Sequence, residues 1–221
     1  MNEMKVKILD YCQLSENEII KKSEAYKLSM LTRRTVRDFS KKIVPAEVIE
    51  NCIITAGSAP SGANKQPWKF IVVTNQMIKS KIRYSAELVE KEFYEKRAPK
   101  EWLNALEPFG TNESKLFLEE APVLIAIFEE KYSLNPDGGK SKNYYTNESV
   151  GIAAGILISA IHQSGLVCLT HTPSPMVFLN KILDRPESER PFLLLVVGYP
   201  KEGAAVPDIK RKQLNEIALF M

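Results

Sequence analysis

The stretch LTRRTVRDF, Leu31 to Phe39, sets Arg33, Arg34 and Arg37 among apolar residues just before a Phe. Arg33 and Arg37 are four apart, so their side chains share a face whether the segment is extended or helical. If it is extended, they leave the backbone about 13 Å apart, enough to grip two ends of one elongated anion. A solvated surface cluster is the alternative for three arginines taken alone. Other residues could join such a site but do not announce it. Thr170, His171 and Thr172 crowd the end of LVCLTHTP, where Thr172 before Pro173 also suits a helix cap and a histidine also suits a structural role. Glu90 and Tyr94 are four apart on a charged segment, a spacing that by itself describes a solvated helix face. Lys115, Ser61 and Arg211 carry no independent signal: one sits among polar neighbours, one in a turn, one in the charge run KRK.

The elements that must position these residues are legible in outline. At 221 residues the chain suits one domain with a substantial core. Its 44% hydrophobic and 26% charged content argues against general disorder. A net charge of +3, with basic and acidic residues interleaved, excludes a nucleic-acid binder of the usual basic kind. Cys12, Cys52 and Cys168 are widely spaced and form no CxxC pair, so neither a disulfide framework nor a zinc site is implied, no metal is expected, and a reducing cytoplasm is. The stretch MNEMKVKILDYCQ has no apolar run long enough for a signal peptide or anchor, so none is expected, and the longest apolar run, Val150 to Ile161, falls short of the roughly 18 residues a membrane span requires.

Spacing of Ile19, Ile20, Tyr26 and Leu28 predicts an N-terminal helix, and the stripe Val48, Ile49, Cys52, Ile53 and Ala56 predicts a second, started by Pro45 and stopped by Gly57. After the breaker-rich APSGANKQP come WKFIVVT, APVLIAIFE, LVCLTHTP and PFLLLVVGYP, all read as strands, the apolar runs as strands covered on both faces. Between them the segment from Met77 to Glu120 reads as several short helices broken by Pro99, Pro108 and Gly110. NPDGGKSKN reads as a loop. The region from about Tyr144 to Ser164 reads as a long helix whose Gly151, Ala153, Ala154, Gly155 and Ala160 permit close approach of another backbone, such as a second subunit's. A shorter helix is expected from about Pro175 to Leu183. The tail ends on IALF, which needs a packing partner. Together these elements predict an α+β sandwich three layers deep.

No GxGxxG, Walker loop, HExxH or GxSxG motif is present. What is present, in order, is RRTVRDF, APSGANKQPWKF, THTP, GYP and PDIKRK, and this set resembles the nitroreductase-like flavoproteins from about residue 25 to the end. RRxVR with PSGxxxQPW marks the broad superfamily. Glu90, Tyr94 and Lys115, in a Glu-x3-Tyr-x20-Lys arrangement, together with NYYTNESVGIAAGIL and PDIKRK, resemble its iodotyrosine deiodinase branch.

That resemblance implies a nitroreductase-like three-layer α-β-α sandwich forming a domain-swapped homodimer. Residues 1–221 would make one FMN-binding domain with a central helical lid at about 86–115 and a dimer-exchanging tail at about 204–221. It implies that Arg33, Arg34, Thr35 and Arg37 contact FMN, that Pro60, Ser61, Thr170, His171 and Thr172 line it, and that Arg211 reaches its phosphate. Thr172 would set its hydroxyl near flavin N5 as the catalytic group. Charge-assisted hydrogen bonds from arginine to a phosphate contribute about 1.5 to 3 kcal/mol each, which suits the cluster. Glu90 would meet the ammonium of a tyrosine zwitterion, Lys115 its carboxylate, Tyr94 would add a hydrogen bond, and Ala63 would offer its backbone N–H to the phenolate.

The implied reaction is reductive dehalogenation of iodo-, bromo- or chlorotyrosine: the bound halophenol tautomerises to a keto form, reduced flavin delivers electrons, and halide leaves. An unidentified reductant restores the flavin. Two departures bear on physiological role more than on chemistry. Vertebrate relatives carry an N-terminal membrane anchor, whereas a chain without one and cytoplasmic is expected here. Asn64 stands where deiodinases often have His. The alternatives on the same residues are an NAD(P)H-dependent nitro or quinone reductase and a flavin or aromatic amino-acid binder without turnover.

Overall fold

A computed structural model of the chain describes residues 6–134 and 138–221. Residues 1–5 and 135–137, which include the first residues of the expected NPDGGKSKN loop, lie outside the described residues. The chain divides into two compact units, one ending at Arg33 and one beginning at Arg34. The first contains α1 (Glu16–Thr32). The second contains α2 (Ala46–Gly57), β1 (Trp68–Val73), α3 (Gln76–Glu92), α4 (Lys100–Leu106), α5 (Phe117–Glu120), β2 (Val123–Glu130), β3 (Tyr132–Leu134), β4 (Lys140–Lys142), α6 (Thr146–Gln163), β5 (Val167–His171), α7 (Phe178–Ile182), β6 (Glu189–Gly198) and α8 (Leu214–Ile217).

In the first unit α1 starts where a capping box predicts it: the Ser15 hydroxyl accepts the Glu18 N–H, and the Glu18 carboxylate accepts the Ser15 N–H at 2.9 Å. None of its residues is buried, so Ile19, Ile20, Tyr26 and Leu28 form a helix, as their spacing predicts, but lie exposed.

In the second unit four strands form one antiparallel sheet in the order β1-β2-β6-β5. β2 and β6 are central, which explains why both read as unbroken apolar runs. Val123, Ile125, Ile127, Leu193, Leu195 and Val197 face α2 and α6, joined there by Ile49, Cys52, Ala56, Val150 and Leu157. Leu124, Ala126, Phe128, Leu194 and Val196 face the other side, with Ile82 and Ala86 of α3, Phe117 and Leu118 of α5 and Leu179 of α7. The architecture is therefore the expected three layers, helices on both faces of a sheet. Each fully buried aliphatic chain here contributes about 1.5 to 3 kcal/mol.

Two features differ from the sequence reading. Lys140–Lys142, read as loop, pairs with Tyr132–Leu134 as a short hairpin; strand pairing there overrides the weak β tendency of Lys-Ser-Lys. α3 runs unbroken for 17 residues and continues into a π-helical turn, Phe93–Arg97, before the expected breaks at Pro99 and Gly110. In α6 Ala153 and Ala154 are buried in the core, and a Cβ on Gly155 would meet no neighbour within this chain. Among the described residues no helix is long and apolar enough to cross a membrane.

Candidate active site

The arginine segment is held at two points. Thr35 bridges Cys168 of β5 in parallel, and the Val36 N–H donates to the Cys168 carbonyl at 3.3 Å. Farther on, Phe39 bridges Pro200, Ser40 donates to Tyr199 and Lys201 donates to Asp38. This explains the GYP motif: a Cβ on Gly198 would stand 2.6 Å from Pro122 Cδ and 3.3 Å from Phe39 Cδ1, so only glycine lets the strand end close on the segment. Val36 and Phe39 are buried, while Arg34, Thr35 and Arg37 remain part-exposed. The Arg34 guanidinium donates to the Pro207 carbonyl, tying the PDIKRK stretch to the segment. Arg211 is exposed farther along that tail. Arg33, in the first unit, ends α1 in extended conformation, its N–H donating to the Met30 carbonyl.

β5 is an edge strand, and its alternation sends Thr170 and Thr172 to the exposed side while His171 is buried. The imidazole lies edge-on to Phe117 with ring centroids 5.6 Å apart, and its Nε2 has no hydrogen-bond partner. Burial, then the nearby charges of Lys115 and Arg37, push its pKa down to about 3, so it is neutral at physiological pH. At that pH the ring is neutral, so it is not an imidazolium acid.

Glu90, Tyr94 and Lys115, spread over 26 positions of sequence, come together. Lys115 Nζ lies 3.0 Å from Glu90 Oε2, with side chains only 4% and 15% exposed. The ammonium also donates to Thr111 Oγ1 at 3.4 Å and to the Asn112 carbonyl, and it stands 5.6 Å from the Tyr94 ring centroid. Tyr94 Oη meets the same Thr111 hydroxyl at 3.4 Å. The π-helical turn places Tyr94 there and directs Arg97 to the Ser174 carbonyl at 2.6 Å, so the helical segment is fastened to the stretch that follows Thr172.

The 60–66 loop is a separate piece. Pro60 is exposed, and the Ser61 hydroxyl accepts the Gln66 N–H at 2.9 Å, closing the loop on itself. Ala63, Asn64 and Gln66 all have positive φ, 50°, 52° and 48°. A left-handed conformation costs an L-residue about 1 to 2 kcal/mol, and such strain gathers where backbone N–H groups are aimed at a ligand. A Cβ on Gly62 would lie 2.9 Å from the Tyr144 carbonyl, so glycine is required where the loop meets the entry to α6. The loop precedes β1 at one edge of the sheet and His171 ends β5 at the other; three strand spacings, about 14 Å, separate the two edges, and the offset of the registers along the strands adds to that. One chain therefore brings the arginine segment, the β5 threonines and the Glu90–Lys115 pair toward one another, and leaves Pro60, Ser61 and Ala63 across the sheet.

The arrangement suits a planar, phosphorylated cofactor. Arg34 and Arg37 supply cations, Thr170 and Thr172 supply exposed hydroxyls on the strand rim, and the adjacent cluster supplies one carboxylate and one ammonium for a second molecule. The sequence reading did not single out Glu87, Arg83, Arg97 or Thr111. An Arg-x3-Glu pair on a charged helix is commonplace, and nothing in the spacing shows which of its members also holds a distant backbone group.

Residues 30–199 match the nitroreductase family. The chain is 59% identical over 200 residues to the iodotyrosine deiodinase of Haliscomenobacter hydrossis, spanning 90% of each chain. It is 44% identical over 206 residues to the iodotyrosine deiodinase of Hydra vulgaris, spanning 93% of this chain and 76% of the relative. Among solved structures it is similar to oxidised iodotyrosine deiodinase bound to FMN and 3-iodo-L-tyrosine, with a TM-score of 0.75 and 32% identity, covering 88% of this chain and 100% of the other.

Proposed function

We propose, since the chain belongs to the nitroreductase family and to its iodotyrosine deiodinase branch, that it is an FMN-dependent reductive dehalogenase of halogenated tyrosines. The observation that carries this reading is the Glu90–Lys115 pair, two opposite charges 3.0 Å apart beneath a helical cover. A buried charge is costly unless paired. An amino-acid zwitterion entering between them offers its ammonium to Glu90 and its carboxylate to Lys115, so both charges stay paired while the site dries. Tyr94 and Thr111 border the same space and extend the hydrogen bonding.

Arg34, Thr35 and Arg37, with Arg33 before them and Arg211 on the tail, would hold the FMN phosphate and pyrimidine edge. Thr170, Thr172, Pro60 and Ser61 would line the ring, with Thr172 nearest the reacting edge, and His171 supports that rim from its buried side. When bound, FMN supplies the two electrons of the reaction. The overall change balances: the carbon–halogen bond breaks, halide leaves with its electron pair, and two electrons with one proton leave a carbon–hydrogen bond. The chain's own part is to orient the phenol, with the Ala63 N–H held toward its oxygen by the left-handed loop, and to exclude water by closing residues 86–115. A separate reductant must restore the cofactor.

Homodimerisation completes the site in this reading. The 60–66 loop lies across the sheet from the β5 rim, more than about 14 Å away, so in this reading a second copy supplies it. Exposed apolar surface on α1 and on the tail, where Leu219 and Phe220 are more than 80% exposed, suits exchange of terminal segments between copies. The three free cysteines suit the cytoplasm. The test is flavin fluorescence quenching by iodotyrosine and by iodophenol. The reading expects tight binding of iodotyrosine alone; equal binding of both would overturn it in favour of a general nitroreductase.

A further inference from the structure

Arg83, Glu87, Glu90 and Tyr94 form one stripe along α3 and its π-helical continuation, at spacings of four, three and four. The last two belong to the proposed substrate cluster. The first two are not spare surface charges. Glu87 Oε1 accepts the backbone N–H of Lys115 at 2.7 Å and the Arg83 Nε at 2.8 Å, and Arg83 also lies 3.6 Å from Glu119 at the end of α5. The Lys115 carbonyl is engaged too, by the Leu118 N–H at 3.0 Å. Both backbone polar groups of Lys115 are thus fixed, the carbonyl by the start of α5 and the N–H by a side chain from α3.

We infer that Glu87 is a positioning residue for recognition of the substrate carboxylate: by holding the Lys115 backbone N–H, it aims the Lys115 ammonium into the space beside Glu90. The inference rests on the zwitterion reading above and assigns Glu87 no contact with substrate. A lysine side chain has four rotatable bonds and carries high rotamer entropy, so its aim depends on where the backbone is fixed. A carboxylate is a stronger acceptor for a backbone N–H than a neutral group. The ionisation state agrees. Burial raises the Glu87 carboxyl, but the Lys115 N–H and the Arg83 guanidinium outweigh it and hold it below the usual carboxylate range. Arg83 consumes one direction of the same oxygen, so the carboxylate cannot swing away without breaking an ion pair that is itself part-buried.

The geometry separates the two ends of the zwitterion. Glu90, which would read the ammonium, sits directly on α3 and takes its position from that helix rather than from Glu87. Lys115, which would read the carboxylate, does. The experiment is flavin-fluorescence titration of the FMN-loaded wild type, Glu87→Gln and Arg83→Ala with three ligands: iodotyrosine, iodotyramine, which lacks the carboxylate, and the iodinated hydroxyphenylpropionate, which lacks the ammonium. Glu87→Gln should weaken iodotyrosine and the propionate by about three- to tenfold and leave iodotyramine within about twofold. Arg83→Ala should give the same pattern at smaller amplitude, which keeps the test valid if Glu87→Gln folds poorly. Equal weakening of all three ligands would show that the cover has merely loosened, and would overturn the positioning role. No weakening of any would overturn it as well. If wild type itself does not prefer iodotyrosine to iodophenol, the zwitterion reading fails first, and the role of Glu87 with it.

Discussion

The ammonium of Lys115 and the carboxylate of Glu90 stand 3.0 Å apart, although 25 positions separate them in the chain, and both are largely shielded from solvent. Each therefore depends on the other or on a ligand that replaces it. Truncating one partner of such a pair costs about 2 to 5 kcal/mol in binding, part of it the penalty for stranding the remaining charge. Glu90→Gln and Lys115→Ala should weaken iodotyrosine by at least about tenfold, and iodophenol, with no zwitterion, should be nearly indifferent to either change. Equilibrium titration of the two variants with both phenols checks this.

The arginine segment should govern cofactor retention. If Arg37 and Arg211 hold FMN as proposed, Arg37→Ala or Arg211→Ala would remove a charge-assisted hydrogen bond of about 1.5 to 3 kcal/mol, enough to raise the FMN dissociation constant more than about tenfold. Removing the tail from Val206 onward deletes Arg211 and the Pro207 carbonyl that Arg34 engages. FMN content after gel filtration, with the oligomeric state read from the same column, measures both effects. A truncated monomer that keeps its FMN would refute a shared site.

His171 gives a stability signature with a definite sign. Its folded pKa, about 3, lies below the usual value of 6.5. Between those limits the unfolded chain binds a proton that the folded chain does not, so stability is lost as pH falls from 6.5. The slope approaches about 1.4 kcal/mol per pH unit. Between pH 6 and 5 carboxylates contribute little, and urea denaturation should show this loss in wild type and a flatter profile in His171→Gln. An unchanged slope in the variant would assign the effect elsewhere.

Ala63 adopts φ 50° and ψ 29°, a conformation glycine takes without penalty. Ala63→Gly should therefore change stability little or raise it by up to about 1 kcal/mol, against the usual direction for a glycine replacement. Thermal denaturation of the variant would show this as a melting temperature equal to or above wild type.

Much of the frame was readable from residues alone, for reasons the structure makes clear. β2 and β6 are buried on both faces, so Val123 to Phe128 and Leu193 to Val197 leave a continuous apolar signature, and Ile49, Cys52 and Ala56 mark the inner stripe of α2. For α1 spacing revealed the helix but not its partner, because periodicity says which face is apolar and nothing about what covers it. The site was less legible. Arg34, Thr35 and Arg37 stood out as a cluster, but the convergence of Glu90 with Lys115 is a tertiary fact that only the family resemblance anticipated. The left-handed backbone at Ala63 and Gln66 could not be foreseen, since neither is a glycine and local propensity opposes it, whereas Asn64 is a residue type that takes that conformation more readily. Glu87 was hidden for the opposite reason: its pattern with Arg83 is ordinary, and its significance lies in one backbone N–H brought from residue 115.

The central claim is tested most directly by one anaerobic experiment. The FMN-loaded protein is reduced chemically, excess reductant is removed, and iodotyrosine is added while flavin absorbance, iodide and tyrosine are followed together. The account predicts return of the oxidised flavin spectrum with one iodide and one tyrosine formed per flavin. Flavin that stays reduced with iodotyrosine, yet reoxidises at once with a nitroaromatic, would contradict it.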